Sequence, residues 1–203
     1  MLKSTRFIFG ISWFWFYWAC ILSLYATYGK TFLHVRQSVV TLFLGTFILG
    51  LVFSYFFNRA ILKEANPNVL SALSSFAMSF FLIYLFFVGR PTFSHSFIPL
   101  GIREFLGYSD GMRILFALAA LAVSSGIFVI PLYETLSQSS EITTSVIMTN
   151  NVSNILFVIL SAPFIYYLGQ KKMDIFQTFL ILAISNGIVG GYISIRSDKK
   201  SRY

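Results

Sequence analysis

Charge is the first thing this sequence has little of. Of 203 residues, 15 are Lys or Arg and 7 are Asp or Glu, together 11%. An ordinary soluble domain carries about 25% charged residues, and part of its surface must face water. With 57% apolar residues and a mean hydropathy of +0.77, this chain cannot cover such a surface. Cysteine is nearly absent as well. Cys20 stands alone within an apolar run, so it forms no intrachain disulfide and reads as small buried filler. There is no C-x-x-C pair, and His34 and His95 fall in separate connections, so no clustered metal site and no cofactor is implied. A Ser/His/Asp arrangement of credible spacing, an H-x-x-x-x-D acyltransferase pattern and a Walker loop are also missing, which argues against an enzyme.

What is present is a series of long apolar runs. A helix needs about 20 apolar residues to cross a hydrocarbon core. Six segments meet that need: Phe7–Tyr28, Ser38–Phe57, Val69–Gly89, Ile114–Tyr133, Ile142–Leu168 and Ile175–Ile195. The expectation is an all-α polytopic membrane protein, a single six-helix domain over 1–203. Polar and turn-forming residues separate the runs, among them Asn58, Arg59, Asn66 and Pro67, then Gly169, Gln170, Lys171 and Lys172. Within the longest connection, Phe97–Leu106 reads as a short interfacial segment, because apolar residues alternate there with Arg103 and Glu104. The first run follows Lys3 and Arg6 but is too long for a signal sequence and has no A-x-A-like site after it, so it reads as retained.

The net charge of +8 would suggest nucleic acid in a soluble protein. Here the basic residues lie between and beyond the apolar runs, where anionic headgroups attract them. Membrane lipid is the implied partner, and nucleic acid is not. Six crossings put both termini on one side, with Lys3, Arg6, Arg59, Lys63, Arg196, Lys199, Lys200 and Arg202. The other side holds Lys30, Arg36, Arg90, Arg103, Arg113, Lys171 and Lys172. Eight against seven is nearly even, but both chain ends are basic and close to helix ends, which favours cytoplasmic termini.

Polar residues inside apolar runs need partners and mark candidate sites. In the fifth run Thr143, Asn150, Asn154 and Ser161 fall near one face, with Asn151 one step round. They read either as a cavity wall or as interhelical hydrogen bonding, which averages about 0.6 kcal/mol in membranes. Glu134 ends the fourth run after Pro131 and Tyr133, as a cation or proton site or as an interfacial carboxylate. Pro131 removes one helix hydrogen bond near that end. In the sixth run, Ser185 and Asn186 precede Gly187, Gly190 and Gly191; Gly187 and Gly191 have the GxxxG spacing that permits close helix packing. Trp13, Trp15, Tyr17 and Trp18 make the first run aromatic, with Trp13 and Trp15 too far round the helix to share a face.

Four blocks carry a family likeness: GISWFWF at Gly10–Phe16, SVVTLFLGTFILG at Ser38–Gly50, GIFVIPLYETLSQ at Gly126–Gln138 and NNVSNILFVILSA at Asn150–Ala162. In order and separation the chain resembles the C-terminal half of major facilitator superfamily transporters, closest to the lysophospholipid transporter branch. The resemblance implies a half-bundle of two three-helix repeats with cytoplasmic termini. It implies a lysophospholipid substrate, moved from the outer to the inner leaflet of a bacterial inner membrane for reacylation. Asn150, Asn151, Asn154, Tyr133, Glu134, Trp13 and Asn186 become cavity-lining candidates, and Arg59 is the one residue carried over from the basic, glycine-containing signature loop, from which the connection Asn58–Asn68 otherwise departs. The family has twelve helices, so the resemblance also implies a partner N-terminal half or self-association. Tyr133-Glu134 departs from the branch, which more often has a small polar residue there. A membrane scaffold and the membrane module of a phospholipid acyltransferase system remain alternative readings.

Overall fold

The computed structural model describes residues 2–60, 65–88, 99–138 and 143–195. Gly89, Arg90, His95, Phe97, Lys63, Ile142, Arg196, Lys199, Lys200 and Arg202, all used above, lie outside these residues. Among the described residues there are seven α-helices: α1 (Leu2–Thr27), α2 (Gln37–Ala60), α3 (Pro67–Val88), α4 (Ile102–Gly107), α5 (Ser109–Ser137), α6 (Thr144–Gln170) and α7 (Ile175–Ile195). All but the six-residue α4 are long and apolar enough to cross a membrane. The chain is an all-α, multi-pass membrane protein of six candidate spans.

Local chemistry sets the ends of these helices. α1 runs into a widened π-type turn, Tyr28–Phe32, where Leu33 N–H reaches back to Tyr28 O at 3.0 Å. Gly29 sits in that turn against α2, where a Cβ would lie 2.7 Å from Val40 Cγ2. α5 begins earlier than its apolar run, because its first turn is polar and held by an Asp110–Arg113 ion pair at 3.1 Å. Between α6 and α7 the chain reverses at Lys172, whose φ of 54° is left-handed. Asp174 and Gln177 then cap α7 reciprocally: Gln177 N–H donates to Asp174 Oδ1 at 2.7 Å, and Asp174 N–H to Gln177 Oε1 at 3.1 Å.

Apolar side chains gain nothing from meeting each other rather than lipid tails, so helix association here depends on close fit. The α2–α5 contact shows how. Gly50 lies against Ala122, where a Cβ would come within 2.6 Å of the Ala122 methyl. One turn on, the roles reverse: Gly126 lies against Ser54, and a Cβ there would overlap the serine hydroxyl. The α3–α7 contact repeats the device with serines. A Cβ at Gly190 would lie 2.7 Å from Ser75 Oγ, while one at Gly187 would lie 3.6 Å from Ser79 Oγ. Gly191 meets nothing within 4 Å. The close approach is therefore made at Gly190, one turn beyond the hydrogen-bonded Asn186, and not at Gly187 and Gly191, because the helix turns that face rather than its neighbour toward α3.

The most extensive helix contacts are α3–α5, α3–α7, α2–α5 and α1–α6, with α1 also touching α5 and α7. Exchanging α1, α2, α3 with α5, α6, α7 turns the α1–α6 pair into α2–α5 and the α1–α7 pair into α3–α5. It leaves α1–α5 and α3–α7 in place. The core forms along α1 and the π-type turn that follows it, where Tyr17, Trp18, Tyr25 and Tyr28 are among the largest fully buried side chains. Their polar atoms find no hydrogen-bond partner among the described residues. α6 is peripheral: 17% of its apolar window is buried, against 61% in α5.

Gly126→Ala is expected to lower stability by about 1–3 kcal/mol through overpacking. Gly45→Ala, in open space, should hold or raise it; thermal unfolding in detergent compares the two. In the same measurement Tyr25→Phe should match or exceed the parent protein, because it removes an unpartnered hydroxyl. A clear loss would show that the hydroxyl has a partner.

Candidate functional site

The polar residues of the spans separate into three places. The first is a bracket of three helices around Asn186, which is fully buried. Trp13 Nε1 on α1 donates to Asn186 Oδ1 at 3.0 Å. Asn186 Nδ2 donates to the Ser75 carbonyl of α3 at 2.8 Å, and Ser75 Oγ donates to the Asn186 carbonyl at 2.7 Å. Ser79 Oγ reaches the Ala183 carbonyl at 2.8 Å. Every polar atom of the Asn186 side chain is thus engaged in holding α1, α3 and α7 together. Asn186 and Trp13, expected to line a cavity, instead hold helices together.

The second place is an open groove between α1, α5 and α6, of about 560 Å³. Its walls are Trp15, Tyr133, Asn151 and Asn154 at one end and Ile155, Val158 and Ile159 at the other. Trp15 Nε1 donates to the Tyr133 hydroxyl oxygen at 3.1 Å, and Asn154 Nδ2 approaches the same oxygen at 3.4 Å. With its oxygen accepting from both, the Tyr133 hydroxyl keeps its own proton to donate into the groove. Behind it, Ser12 is fully buried and lies 2.9 Å from both Asn154 Oδ1 and Ser153 Oγ. One hydroxyl proton serves each serine, so Ser153 donates to Ser12 and Ser12 to Asn154. That chain fixes the Asn154 amide with its N–H toward Tyr133. Asn151 is exposed at the groove and has no hydrogen-bond partner among the described residues.

The groove is amphipathic along α6. From Asn151 to Ile159 the helix rises about 12 Å, passing from amide and phenol donors to branched aliphatic side chains. Such a surface takes a molecule with a polar head and an apolar tail. Asn150 does not line it; the side chain is buried, and its Oδ1 has no partner among the described residues. It belongs to the stripe of α6 that packs on α1, with Ser153, Asn154, Phe157, Ser161, Phe164 and Leu168.

The third place is a cavity at the ends of α2, α3 and α5, of about 390 Å³, which brings Arg59 and Glu134 together with the buried Pro131. Sequence reasoning took these two charged residues separately. It also missed Ser12, Ser153 and Trp15 as parts of the groove. Ser153 was recoverable, since it falls in register with Asn150, Phe157 and Ser161 at helical spacing. Ser12 gave no signal, because its partners lie more than 140 residues away.

Among the described residues, no three His, Cys, Asp or Glu side chains gather as a metal site. No protein-family model, no curated protein and no solved structure matches the chain.

Asn186→Ala is expected to lower stability by about 1–2 kcal/mol, the upper range for membrane hydrogen bonds, since it strips partners from two other helices. Asn151→Ala, exposed and unbonded, should leave the unfolding midpoint of the detergent-solubilised protein unchanged.

Proposed function

We propose that this chain is half of a membrane transporter that moves lysophospholipid, or a related amphiphile, across a bacterial inner membrane. The observation that carries the reading is the groove: donors from Tyr133, Asn151 and Asn154 at one end, aliphatic side chains at the other. A phosphate headgroup accepts hydrogen bonds and suits the first; a single acyl chain suits the second. The near-invariance of the helix pairs on exchanging the two triplets supports a bundle of two three-helix repeats. The four sequence blocks, with their likeness to the major facilitator superfamily, support the same reading.

The groove is walled on one side only, by α1, α5 and α6. Alternating access needs an opposing wall, so the working unit pairs this chain with an N-terminal half or with a second copy of itself. In that unit the termini are cytoplasmic, and the peripheral α6 faces the partner.

Asn151→Ala with Asn154→Ala should abolish uptake of labelled lysophosphatidylethanolamine into vesicles carrying the whole unit. Membrane insertion, followed by protease protection of the connections, should be retained. Unchanged uptake by a correctly inserted double variant would remove the groove from the transport path. It would favour a scaffold, such as one holding a phospholipid acyltransferase.

A further inference from the structure

Ser12 is fully buried and is not among the residues that line the groove. It is nonetheless joined to the groove's mouth. Ser12 and Trp15 lie three residues apart on α1, as neighbours on the helix surface, and both act on the Tyr133 hydroxyl oxygen. Trp15 donates to that oxygen directly at 3.1 Å. Ser12 acts through α6. It donates to Asn154 Oδ1 at 2.9 Å, which leaves Asn154 Nδ2 to approach the phenol oxygen at 3.4 Å. Ser153 stands one step further back, 2.9 Å from Ser12 Oγ. The result is a one-way chain from Ser153 to Ser12 to Asn154 to Tyr133, whose last proton is left for the groove. Hydrogen bonds in series polarise one another, so the phenol at the end donates more strongly than a lone one.

The direction of the chain rests on Ser12. The torsion that turns an asparagine amide is broad and roughly two-fold, so the amide of Asn154 can sit either way round. A serine hydroxyl that already accepts from Ser153 has its proton to offer, and it selects the orientation with Oδ1 toward α1. Without that hydroxyl, Oδ1 has no donor, which a half-buried acceptor pays for in lost solvation. Turning the amide over brings Oδ1 to Tyr133, whose proton then points inward, and Nδ2 to the Ser153 hydroxyl. The mouth of the groove then presents a phenol lone pair in place of a proton. Among the described residues no charged side chain lines the groove, so this polarity is what tells one head from another. Asn151 offers a donor and an acceptor alike and does not discriminate. We propose that Ser12 is the positioning residue that sets the polarity of the groove, selecting amphiphiles whose head accepts hydrogen bonds over those whose head only donates them. The inference rests on the reading of the groove as the site of an amphiphile.

The test is a ratio of two affinities. Full-length protein in phosphatidylcholine nanodiscs is titrated at pH 7 with dodecyldimethylphosphine oxide, whose head only accepts, and with dodecylammonium, whose head only donates. Tryptophan emission, to which Trp15 at the groove contributes, reports saturable binding once the signal of empty nanodiscs is subtracted. The substitutions change no charge. Glu141, in the connection between α5 and α6, lies outside the described residues; like Asn151 it is the same in every variant, so it drops out when ratios are compared. Ser12→Ala should lower the preference for the phosphine oxide by about tenfold, equivalent to about 1.4 kcal/mol. Ser12→Cys keeps the volume with a weaker donor and should fall between the two, which also serves if the Ala variant does not fold. Ser153→Ala removes the donor behind Ser12 and not the one in front, so it weakens the chain without reversing it, and the preference should fall by about twofold. A role in packing alone predicts similar losses at the two serines for both probes, with the ratio unmoved. Equal shifts at Ser12 and Ser153, or no shift at either, overturn the proposal and leave the groove as a binding site. Absence of saturable binding to the parent protein removes the site as well. Uptake through the whole unit is a separate measurement, so this role and the transport reading fail separately.

Discussion

The bundle depends on how closely two pairs of helix backbones can approach. In lipid there is no hydrophobic gain from pressing leucine against leucine, so contact must come from fit and from polar groups that hydrocarbon cannot satisfy. At α2–α5 the fit is made by Gly50 against Ala122 and Ser54 against Gly126; at α3–α7 by Ser75 against Gly190. α5 and α3 also pack on each other, with Ser71 of α3 donating to the Phe128 carbonyl of α5 at 3.0 Å. These contacts join α2, α5, α3 and α7 into a continuous layered unit. α1 joins this unit through aromatic packing and the Trp13–Asn186 bond.

Polar side chains in these spans have two fates, and burial separates them. Asn186 is fully buried and bonded on every polar side-chain atom, so it has nothing left to offer a ligand. Asn154 is only half-buried and shares the Tyr133 hydroxyl with Trp15, which leaves a phenolic proton directed outward. The two asparagines have the same chemistry and opposite uses. What decides between them is the number of helices that surround each: three around Asn186, and an open side at Asn154.

The sequence was most informative where length and hydropathy suffice. The six spans, their order and their approximate ends could be read from the apolar runs, since a bilayer demands a fixed length of apolar helix. The polar start of α5 was missed because hydropathy cannot see an Asp110–Arg113 turn that continues the helix. The site was legible only in part. Tyr133, Asn151 and Asn154 were recognisable as costly polar residues near span ends. Their meeting with Trp15 and Ser12 was not, because pairing between α1, α5 and α6 is set by tertiary packing. The choice of Gly190 over Gly191 as the close-contact residue was likewise hidden. A one-residue shift turns a helix by about 100°, and a GxxxG spacing does not say which side meets a neighbour.

Pro131 cannot donate a backbone hydrogen bond, so the Ile127 carbonyl four residues earlier lacks its usual helical partner. The last two turns of α5 therefore lie beyond a missing rung. Those turns carry Tyr133 toward one opening and Glu134 toward another, on a single stretch of backbone. The stretch is common to both openings, so a tilt of it about Pro131 would act on the two together as a shared lever. Thermodynamic reciprocity then applies. If an occupant of one opening holds the lever in a given position, the affinity of the other opening changes by the same factor when the roles are reversed.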